Sequence, residues 1–269
     1  MTPKRPGNGP FSTPAARAGL AALVVAAGLA LASPHLAILP LAVYLLACMV
    51  FPFCPCTRFF LPVICRGNAD CGAVALTFDD GPDPATTPAL LDFLAEHRVH
   101  ATFFVTGRKA QAHPELIRRI IERGHDIGNH SFGHDTLVMF KGKKRIDEEI
   151  GAAQAVLESL GVLPRAFRPP AGITYPGLGP ALDRYGLVAV NYSRRAMDRG
   201  NRRIDGLAAK ILTPLASGDI IMLHDIAPPD PARLEPWLNE IKTLLLGIDS
   251  KGIRIRPLAE ITRLPVAPG

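Results

Sequence analysis

Two adjacent carboxylates, Asp79 and Asp80, stand where a short apolar run ends and Gly81-Pro82 begins. Residues 73–76 have the composition of a buried parallel strand, and the Gly-Pro pair prevents a strand or helix from continuing. Neighbouring ionised carboxylates repel each other and are best solvated by water. A bound cation is therefore the simplest reason to keep both at the end of a strand, although an ordinary Asp-rich turn has the same local sequence.

Three further stretches carry residues that suit hydrolytic chemistry. His130 and His134 are four residues apart, close enough for both imidazoles to bind one metal ion. Arg168 precedes two prolines, and His224 closes an apolar run. A histidine near its ordinary pKa can transfer protons around neutral pH. A polar turn is the alternative for the first two histidines, and a surface position is the alternative for Arg168.

These four stretches, residues 77–82, 129–134, 167–172 and 220–225, occur in an order and at separations that resemble the polysaccharide deacetylases of carbohydrate esterase family 4. That family contains the chitin and peptidoglycan N-deacetylases, and the resemblance covers a catalytic domain at residues 73–262. It implies an α/β fold, a distorted (β/α) barrel of about seven parallel strands. It also implies a metal-dependent hydrolase that removes an acyl group from an amino sugar.

The resemblance assigns metal binding to the first two stretches. Asp80, His130 and His134 would provide one oxygen and two nitrogen ligands and leave positions open for water and substrate. This ligand set suits Zn²⁺ and tolerates Co²⁺ or Ni²⁺. We therefore predict a divalent metal as the cofactor, with zinc first.

The other catalytic roles come from the same resemblance. Asp79 is the candidate general base, kept ionised by the metal and by Arg168, which orients it. Ala171 would direct its backbone N–H at the tetrahedral oxyanion, because the two prolines before it fix the backbone. His224 is the candidate general acid that protonates the departing amine.

Two positions depart from the family pattern. Many relatives have an aromatic residue where this chain has Ala171, so a surface for stacking against sugar is expected to be missing. The family also has an aspartate, near a tryptophan, that tunes the catalytic histidine. Asp198 is the candidate for this carboxylate. The one tryptophan of the chain, Trp237, belongs to a later predicted helix.

The segment around Asp198 is strongly basic. A solvated loop is one interpretation of its arginines. The other is that Arg194 and Arg195 bind the phosphate of a lipid-linked sugar, because guanidinium groups match the geometry of phosphate oxygens. This second interpretation predicts that the substrate is a lipid-linked sugar rather than a plain glycan polymer.

Alternating strand-like and helix-like segments after residue 72 must position these residues. Repeated βα units imply parallel strands joined by right-handed crossovers. Both a barrel and a doubly wound sheet have that pattern. It predicts helices over 87–97, from 114 onward, and over 144–160, 205–213 and 235–246, and strands over 73–76, 101–105, 126–128, 187–191, 219–223 and 252–255.

Length and charge limit the classes of protein to consider. The 269 residues leave room for one large α/β domain and an appendage. The net charge is +6 and the pI is near 9.2, but no recognition-helix pattern, aromatic RNA-binding motif or zinc-finger spacing accompanies it, so no nucleic acid partner is expected. A membrane surface or an anionic substrate is the better partner.

The N-terminal part differs in composition from the rest. Residues 1–17 are rich in Pro and Gly and are predicted to be a disordered basic tail. Residues 18–56 contain two uncharged apolar runs separated by a Ser-Pro-His sequence, which predicts a membrane hairpin of two short helices. A cleaved secretory signal or a single anchor is the alternative. Residues 57–72 would be a linker, and residues 263–269 a C-terminal tail.

Flanking charges favour the cytoplasmic face of a bacterial inner membrane for the catalytic domain. The connection between the two apolar runs has no Lys or Arg, whereas Lys4, Arg5, Arg17, Arg58 and Arg66 flank the runs. If only one helix spans the membrane, the domain lies instead on the periplasmic or extracellular side.

All the cysteines precede the predicted catalytic domain. Their spacing lacks the paired C-x₂-C units of zinc sites, so we expect free thiols in a reducing compartment. The five are Cys48, Cys54, Cys56, Cys65 and Cys71.

The sequence thus predicts a metal-dependent hydrolase that removes an N-acyl group, in the first place N-acetyl, from an amino-sugar polymer or lipid-linked sugar at a membrane. An O-deacetylase with the same residues is the alternative within enzymes. A catalytically silent, membrane-held glycan-binding domain is the alternative from another class. Amine release from an acetylated sugar would distinguish the first of these from the other two.

Overall fold

The computed structural model describes residues 13–264. Most of the two predicted tails, with Lys4 and Arg5, therefore lies outside the described residues. The helices are α1 (Pro14–Ala32), α2 (Ile38–Val50), α3 (Thr87–Glu96), α4 (Gly107–Ala112), α5 (Pro114–Glu122), α6 (Gly142–Ser159), α7 (Leu178–Arg184), α8 (Leu207–Leu212), α9 (Leu234–Ser250) and α10 (Leu258–Thr262). The strands are β1 (Ala73–Asp79), β2 (Thr102–Val105), β3 (Asp126–Asn129), β4 (Ala166–Phe167), β5 (Val188–Ala189), β6 (Arg194–Arg195), β7 (Ile220–His224) and β8 (Arg254–Ile255).

The strands pair in parallel in the order β5-β4-β3-β2-β1-β7-β6, and β8 pairs with the beginning of β1. The predicted α/β class with parallel strands is confirmed. Between residues 13 and 264, however, no pairing joins β5 to β6, so strands alone do not close the predicted barrel. Ile64 covers part of this gap, because it forms a parallel bridge with Val190 directly after β5.

The central strand β1 separates two environments because alternate side chains point to opposite faces. Leu76 and Phe78 belong to the largest apolar core, together with the helices on the outside of the sheet. Ala75 belongs to a second cluster on the inner side. Thr77 and Asp79 share the parity of Ala75 and are also buried. The small side chains at 75 and 77 leave room beside Asp79 for a large one.

The long predicted elements are confirmed close to their expected bounds. The helix predicted from residue 114 begins at Pro114, and the one predicted over 144–160 spans Gly142–Ser159. Strands β4 and β6 were not predicted as strands, because neither lies in an apolar run: Ala166–Phe167 is flanked by arginines, and Arg194–Arg195 is itself charged.

The first two helices form an apolar hairpin against the domain. α1 begins at Pro14, four residues before the predicted membrane segment, and its Ala15 N–H donates to the Phe59 carbonyl over 2.9 Å. By length and composition α1 can cross a membrane, whereas α2 with the turn after it is shorter. Large apolar side chains such as Leu23 and Leu39 are exposed on both helices.

Residues 57–72, predicted as a linker, are instead part of the folded domain. Phe60 and Leu61 are buried, and Cys65 forms a disulfide with Cys56 with 5.4 Å between the Cα atoms. The expectation of free thiols is therefore wrong for this pair. Cys48, Cys54 and Cys71 are free.

Candidate active site

A cleft of about 660 Å³ opens at the carboxyl ends of the central strands. Its lining includes Asp79, Asp80, His130, His134 and His224. Strand register explains part of this convergence, because Asp79 and His224 occupy paired positions at the ends of β1 and β7. The predicted base, acid and metal ligands are therefore neighbours in space.

Arg168 is fully buried and holds Asp79 in place. Its Nη1 donates to Asp79 Oδ1 over 2.5 Å and to Thr77 Oγ1 over 2.7 Å. Its Nε and Nη2 donate to the carbonyl oxygens of Val190 and Asn191, each over 3.2 Å. A buried guanidinium with this many acceptors is well compensated for the loss of water. Asp79 is thereby fixed beside a permanent cation.

Three side chains in the cleft can hold a metal ion. Asp80 Oδ1 lies 3.3 Å from His130 Nε2 and 3.1 Å from His134 Nε2. One donor atom from each of the three lies within 4.8 Å of the others. Asp80 Oδ1 is also buried and has no hydrogen-bond partner among residues 13–264, as expected of an atom that faces a cation. The set of one carboxylate and two imidazoles fits a divalent transition metal.

The backbone and a second hydrogen bond orient these ligands. His130 Nδ1 is 2.7 Å from the Arg168 carbonyl, which leaves Nε2 free to bind metal. Asp80 and His134 have φ angles of 70° and 56°, a region that costs free energy for residues other than glycine. The Asp80 N–H donates to the Phe104 carbonyl over 3.1 Å and helps to hold this conformation.

The charges of the cluster shift several pKa values. Burial alone would raise the pKa of Asp80, but its contact with His130 and the charge of His134 outweigh burial and lower it. Burial lowers the pKa of His134, and the charge of His130 adds to the effect. The directions for Asp80 and His134 favour the ionised carboxylate and the neutral imidazole that bind metal. Burial would also lower the pKa of His130, but the charge of Asp79 and the contact with Asp80 outweigh it and raise that pKa.

His224 forms a dyad with the predicted carboxylate. Its Nδ1 is 2.8 Å from Asp198 Oδ2, and Asp198 is buried. Burial would lower the pKa of His224, but the hydrogen bond and charge of Asp198, with the charges of Asp79 and Asp80, outweigh it and raise the pKa. The imidazole is thus kept protonated to higher pH than an isolated histidine.

Asn201 holds the segment that carries Asp198. Its Nδ2 donates to the carbonyl oxygens of His224 and Ile226 over 3.0 and 2.7 Å, and its N–H donates to Asp198 Oδ2 over 3.3 Å. Sequence reasoning did not identify this residue. Its position three residues after a candidate carboxylate, as at an Asx-type turn, was the available signal.

Asn191 is a second residue that sequence reasoning missed. It is fully buried, and its Nδ2 donates to the carbonyl oxygens of Pro55 and Gly172 over 2.7 and 3.0 Å. It therefore joins the base of the hairpin to the turn that carries Ala171. Ala171 lines the cleft and has a φ of 54°. The available signal was an amide directly after an apolar run.

The two arginines predicted to bind phosphate are separated by the structure. Arg194 Nε donates to the buried Asp219 over 2.7 Å, and Arg194 is not among the residues that line the cleft. A buried carboxylate outside the cleft thus engages the Arg194 guanidinium, which gives no support to its predicted role in phosphate binding; that role stays a prediction. Arg195 does line the cleft, and its Nη1 donates to the Tyr192 hydroxyl over 3.1 Å.

Comparison with known proteins places this geometry among related sequences. Residues 66–190 match the family model described as polysaccharide deacetylase. A chitooligosaccharide deacetylase from Sinorhizobium fredii is 37% identical over 209 residues, which cover 75% of this chain and 97% of that protein.

Two solved structures have a similar fold. The Bc1960 peptidoglycan N-acetylglucosamine deacetylase superposes with a TM-score of 0.70 and 27% identity, covering 77% of this chain and 95% of that one. A family 4 carbohydrate esterase from Streptomyces lividans, in complex with acetate, superposes with a TM-score of 0.63 and 31% identity, covering 74% and 99%.

Proposed function

Because this chain belongs to the polysaccharide deacetylase family, we propose that it removes the N-acetyl group from an amino sugar of the kind found in chitooligosaccharides or peptidoglycan. The observation that carries the proposal is the arrangement of Asp79 beside the metal-ligand cluster and opposite His224. An amide hydrolase needs a base and an acid on one cleft, and this chain provides both.

The cation would be held by Asp80, His130 and His134. When bound there, it supplies a Lewis acid that makes the attacking water more acidic and polarises the amide carbonyl. We propose zinc, because one oxygen and two nitrogen donors suit it, with cobalt or nickel as functional substitutes.

Residues of the chain then carry out the proton transfers and stabilise the oxyanion. Asp79 accepts a proton from water as the water oxygen bonds to the carbonyl carbon, and Arg168 keeps that carboxylate ionised and oriented. The Ala171 N–H donates to the oxyanion of the tetrahedral species. His224 gives its proton to the nitrogen as the carbon–nitrogen bond breaks, which releases acetate and the free amine. Asp198 accepts the Nδ1–H of His224 and stabilises the imidazolium, whose Nε2 proton is the one transferred.

The proposed general acid, His224, is the reason that we propose an amide rather than an ester as the substrate. An amine is a poor leaving group unless it is protonated, so a raised pKa on His224 is useful at neutral pH. An alkoxide leaves more readily and depends less on this residue. Loss of His224 should therefore affect N-deacetylation more than O-deacetylation.

We also propose that the hairpin anchors the protein in a membrane. The exposed apolar side chains of α1 and α2 support an anchor, because in water they would form a large unfavourable surface. A cleaved signal is the alternative. Resistance of the protein to alkaline carbonate extraction, with an intact N-terminus by mass spectrometry, would support the anchor.

Two features disagree about the face of the membrane that carries the catalytic domain. The basic residues Arg17 and Arg58 flank the hairpin and favour the cytoplasmic side. The disulfide between Cys56 and Cys65 favours an oxidising compartment. Labelling of intact cells with a membrane-impermeant maleimide, after reduction of this disulfide, would decide between the two.

The central test is amine release by the full-length protein from triacetylchitotriose in detergent, with metal content measured on the same sample. We expect wild type to contain about one divalent ion per chain and to release amine and acetate in equal amounts. Metal-loaded protein that releases acetate only from O-acetylated sugars would favour the O-deacetylase. Metal-loaded protein inert on both would favour the glycan-binding alternative.

A further inference from the structure

The mouth of the cleft is lined by a group of arginines that the proposed chemistry does not use. All four lie on one short segment and are exposed, and we call them the arginine rim. The rim consists of Arg195, Arg199, Arg202 and Arg203.

None of the four rim arginines has an ion-pair partner within 4.0 Å among residues 13–264. Elsewhere in this part of the chain, exposed arginines do find carboxylates, as Arg123 does with Asp92 and Arg184 does with Asp147. Unpaired guanidinium groups gathered at a cavity mouth create a positive potential that attracts anions.

The carboxylates in the same cleft do not neutralise this potential. Asp79 is engaged by Arg168, Asp80 by the two histidine ligands, and Asp198 by His224. Each of these carboxylates therefore has its own contact inside the cleft, and among residues 13–264 none of them lies within 4.0 Å of a rim guanidinium nitrogen. The arginine rim is left as an excess of positive charge over the place where substrate enters.

The rim is held in position by the same contacts that hold the catalytic histidine. Arg199 and Met197 have φ angles of 54° and 57°, and the Arg203 N–H donates to the Asp198 carbonyl over 2.9 Å. Asn201, between the rim arginines, is tied to the carbonyl oxygens of His224 and Ile226. An anion bound at the rim would thus stand at a fixed distance from the reacting amide.

Arg195 is also preorganised. Its guanidinium lies 5.6 Å from the centre of the Tyr192 ring and donates to the Tyr192 hydroxyl over 3.1 Å. Contact with an aromatic ring restricts a long side chain without consuming its charge. Less conformational entropy is then lost when this guanidinium binds an anion.

We propose that the substrate carries a phosphoryl group on or next to the acetylated amino sugar, and that the arginine rim binds this group. The proposal rests on the function proposed above and narrows its substrate class. Phosphate is favoured over carboxylate because the guanidinium groups of the rim can bind all non-bridging oxygens of a phosphoryl group, and a phosphate monoester also carries more than one negative charge. The phosphoryl group can belong to a soluble sugar phosphate or to a lipid-linked sugar.

Binding to the full-length, detergent-solubilised protein tests the proposal directly. The probes are N-acetylglucosamine, its 1-phosphate and its 6-phosphate, measured by isothermal titration calorimetry at low and at physiological salt. We expect at least one phosphate to bind about tenfold or more tightly than the neutral sugar, with a preference that shrinks as salt rises. Equal affinity for all three probes would overturn the proposal.

Substitutions locate the effect on the rim. The variant Arg199→Gln/Arg202→Gln/Arg203→Gln should lose most of the preference for phosphate, and the single variants should lose part of it. Arg118→Gln, an exposed arginine on α5 outside the cleft, is the matched control and should keep the preference. A triple variant that melts like wild type and still prefers phosphate would rule out the rim as the binding site.

A binding measurement with a lipid-linked probe identifies the source of the phosphoryl group. Farnesyl phosphate-linked N-acetylglucosamine in detergent is compared with the soluble 1-phosphate. Tighter binding of the lipid form indicates a lipid-linked substrate, and equal binding indicates a soluble sugar phosphate; both support the rim. Amine release from neutral triacetylchitotriose is measured in parallel, so that failure of the hydrolase and failure of the phosphate site are separate results.

Discussion

The floor and the mouth of the cleft differ in two properties, the burial of their side chains and the pairing of their charges. The floor consists of Asp79, Asp80, His130 and Arg168, which lie at strand ends, and three of them are buried. Every charge in it faces a partner only a few ångströms away. The mouth is the arginine rim, which lies on a segment with left-handed residues and is exposed to solvent, and its charges have no ion-pair partner within the part of the chain that the structure describes.

The difference shows which part of the site is fixed by the reaction and which part is free to select a substrate. A buried ion pair such as Asp79–Arg168 is costly to disturb, because removal of one partner leaves an unpaired charge without water. Exposed arginines contribute little to folding, since water solvates them well. Changes in the floor should therefore abolish turnover, and changes at the mouth should alter preference.

The largest expected effect comes from breaking the floor. Asp79→Asn removes the proposed base but leaves Asp80, His130 and His134 in place. We expect turnover to fall by about 10³-fold while the metal content stays at the wild-type level. Amine release and metal analysis on the same samples check this. More than a tenth of wild-type turnover in the variant would exclude Asp79 as the base.

The second largest effect should come from Asp198, which lies between the floor and the mouth of the cleft. Asp198→Asn removes the charge that raises the pKa of His224, so this pKa should fall. His224 must be protonated to act as an acid, and the alkaline limb of the pH–rate profile should therefore move to lower pH. We expect a loss of about 10²-fold in turnover at neutral pH. An unchanged alkaline limb would assign that limb to another group.

A smaller effect should follow from loosening the mouth alone. Asn201→Ala releases the carbonyl oxygens of His224 and Ile226 and frees the rim from the end of β7. We expect a loss of about tenfold in kcat/KM, mostly through KM on a phosphorylated sugar, because the rim loses its fixed distance. Asn239→Ala, on the exposed part of α9, is the control and should behave like wild type. Equal losses in both variants would mean that the tie is unimportant.

A change outside both regions gives the baseline for the comparison. Cys56→Ser removes the disulfide to Cys65, which closes a short loop. We expect the free energy of unfolding to fall by about 2–3 kcal/mol with the smallest change in turnover of the four variants. Chemical denaturation and amine release measure the two quantities. A turnover loss like that of Asp198→Asn would show that the disulfide shapes the site.

Sequence reasoning found the floor because its residues follow buried strands within short motifs. Asp79, Asp80, His130 and Arg168 come from the short stretches that carry the family resemblance, and that resemblance rather than the local pattern singled out Arg168. The structure brings these predicted residues together in one cleft.

The mouth could be predicted only in outline, because it depends on contacts between distant segments. Arg194 and Arg195 are equivalent in sequence, yet Asp219 engages Arg194 outside the cleft, whereas Arg195 lines the cleft beside Tyr192. The roles of Asn191 and Asn201 depend on carbonyl oxygens far along the chain, at Pro55 and Ile226. The packing of Phe60 and Leu61 against the domain likewise involves a distant segment, as the bridge between Ile64 and Val190 shows.

The side-chain amide of Asn191 fixes the position of the catalytic domain relative to the hairpin. Asn191 donates to Pro55 at the base of the hairpin and to Gly172 in the turn that carries Ala171, and the Thr174 N–H donates to the Pro52 carbonyl. These hydrogen bonds hold the catalytic domain in a fixed orientation relative to the hairpin. If the hairpin enters the bilayer as proposed, the cleft is held at a constant distance from the lipid surface and in a constant orientation to it. The enzyme can then act only on substrate groups that lie at that distance. It would work on glycans that are delivered to that height and leave distant ones untouched.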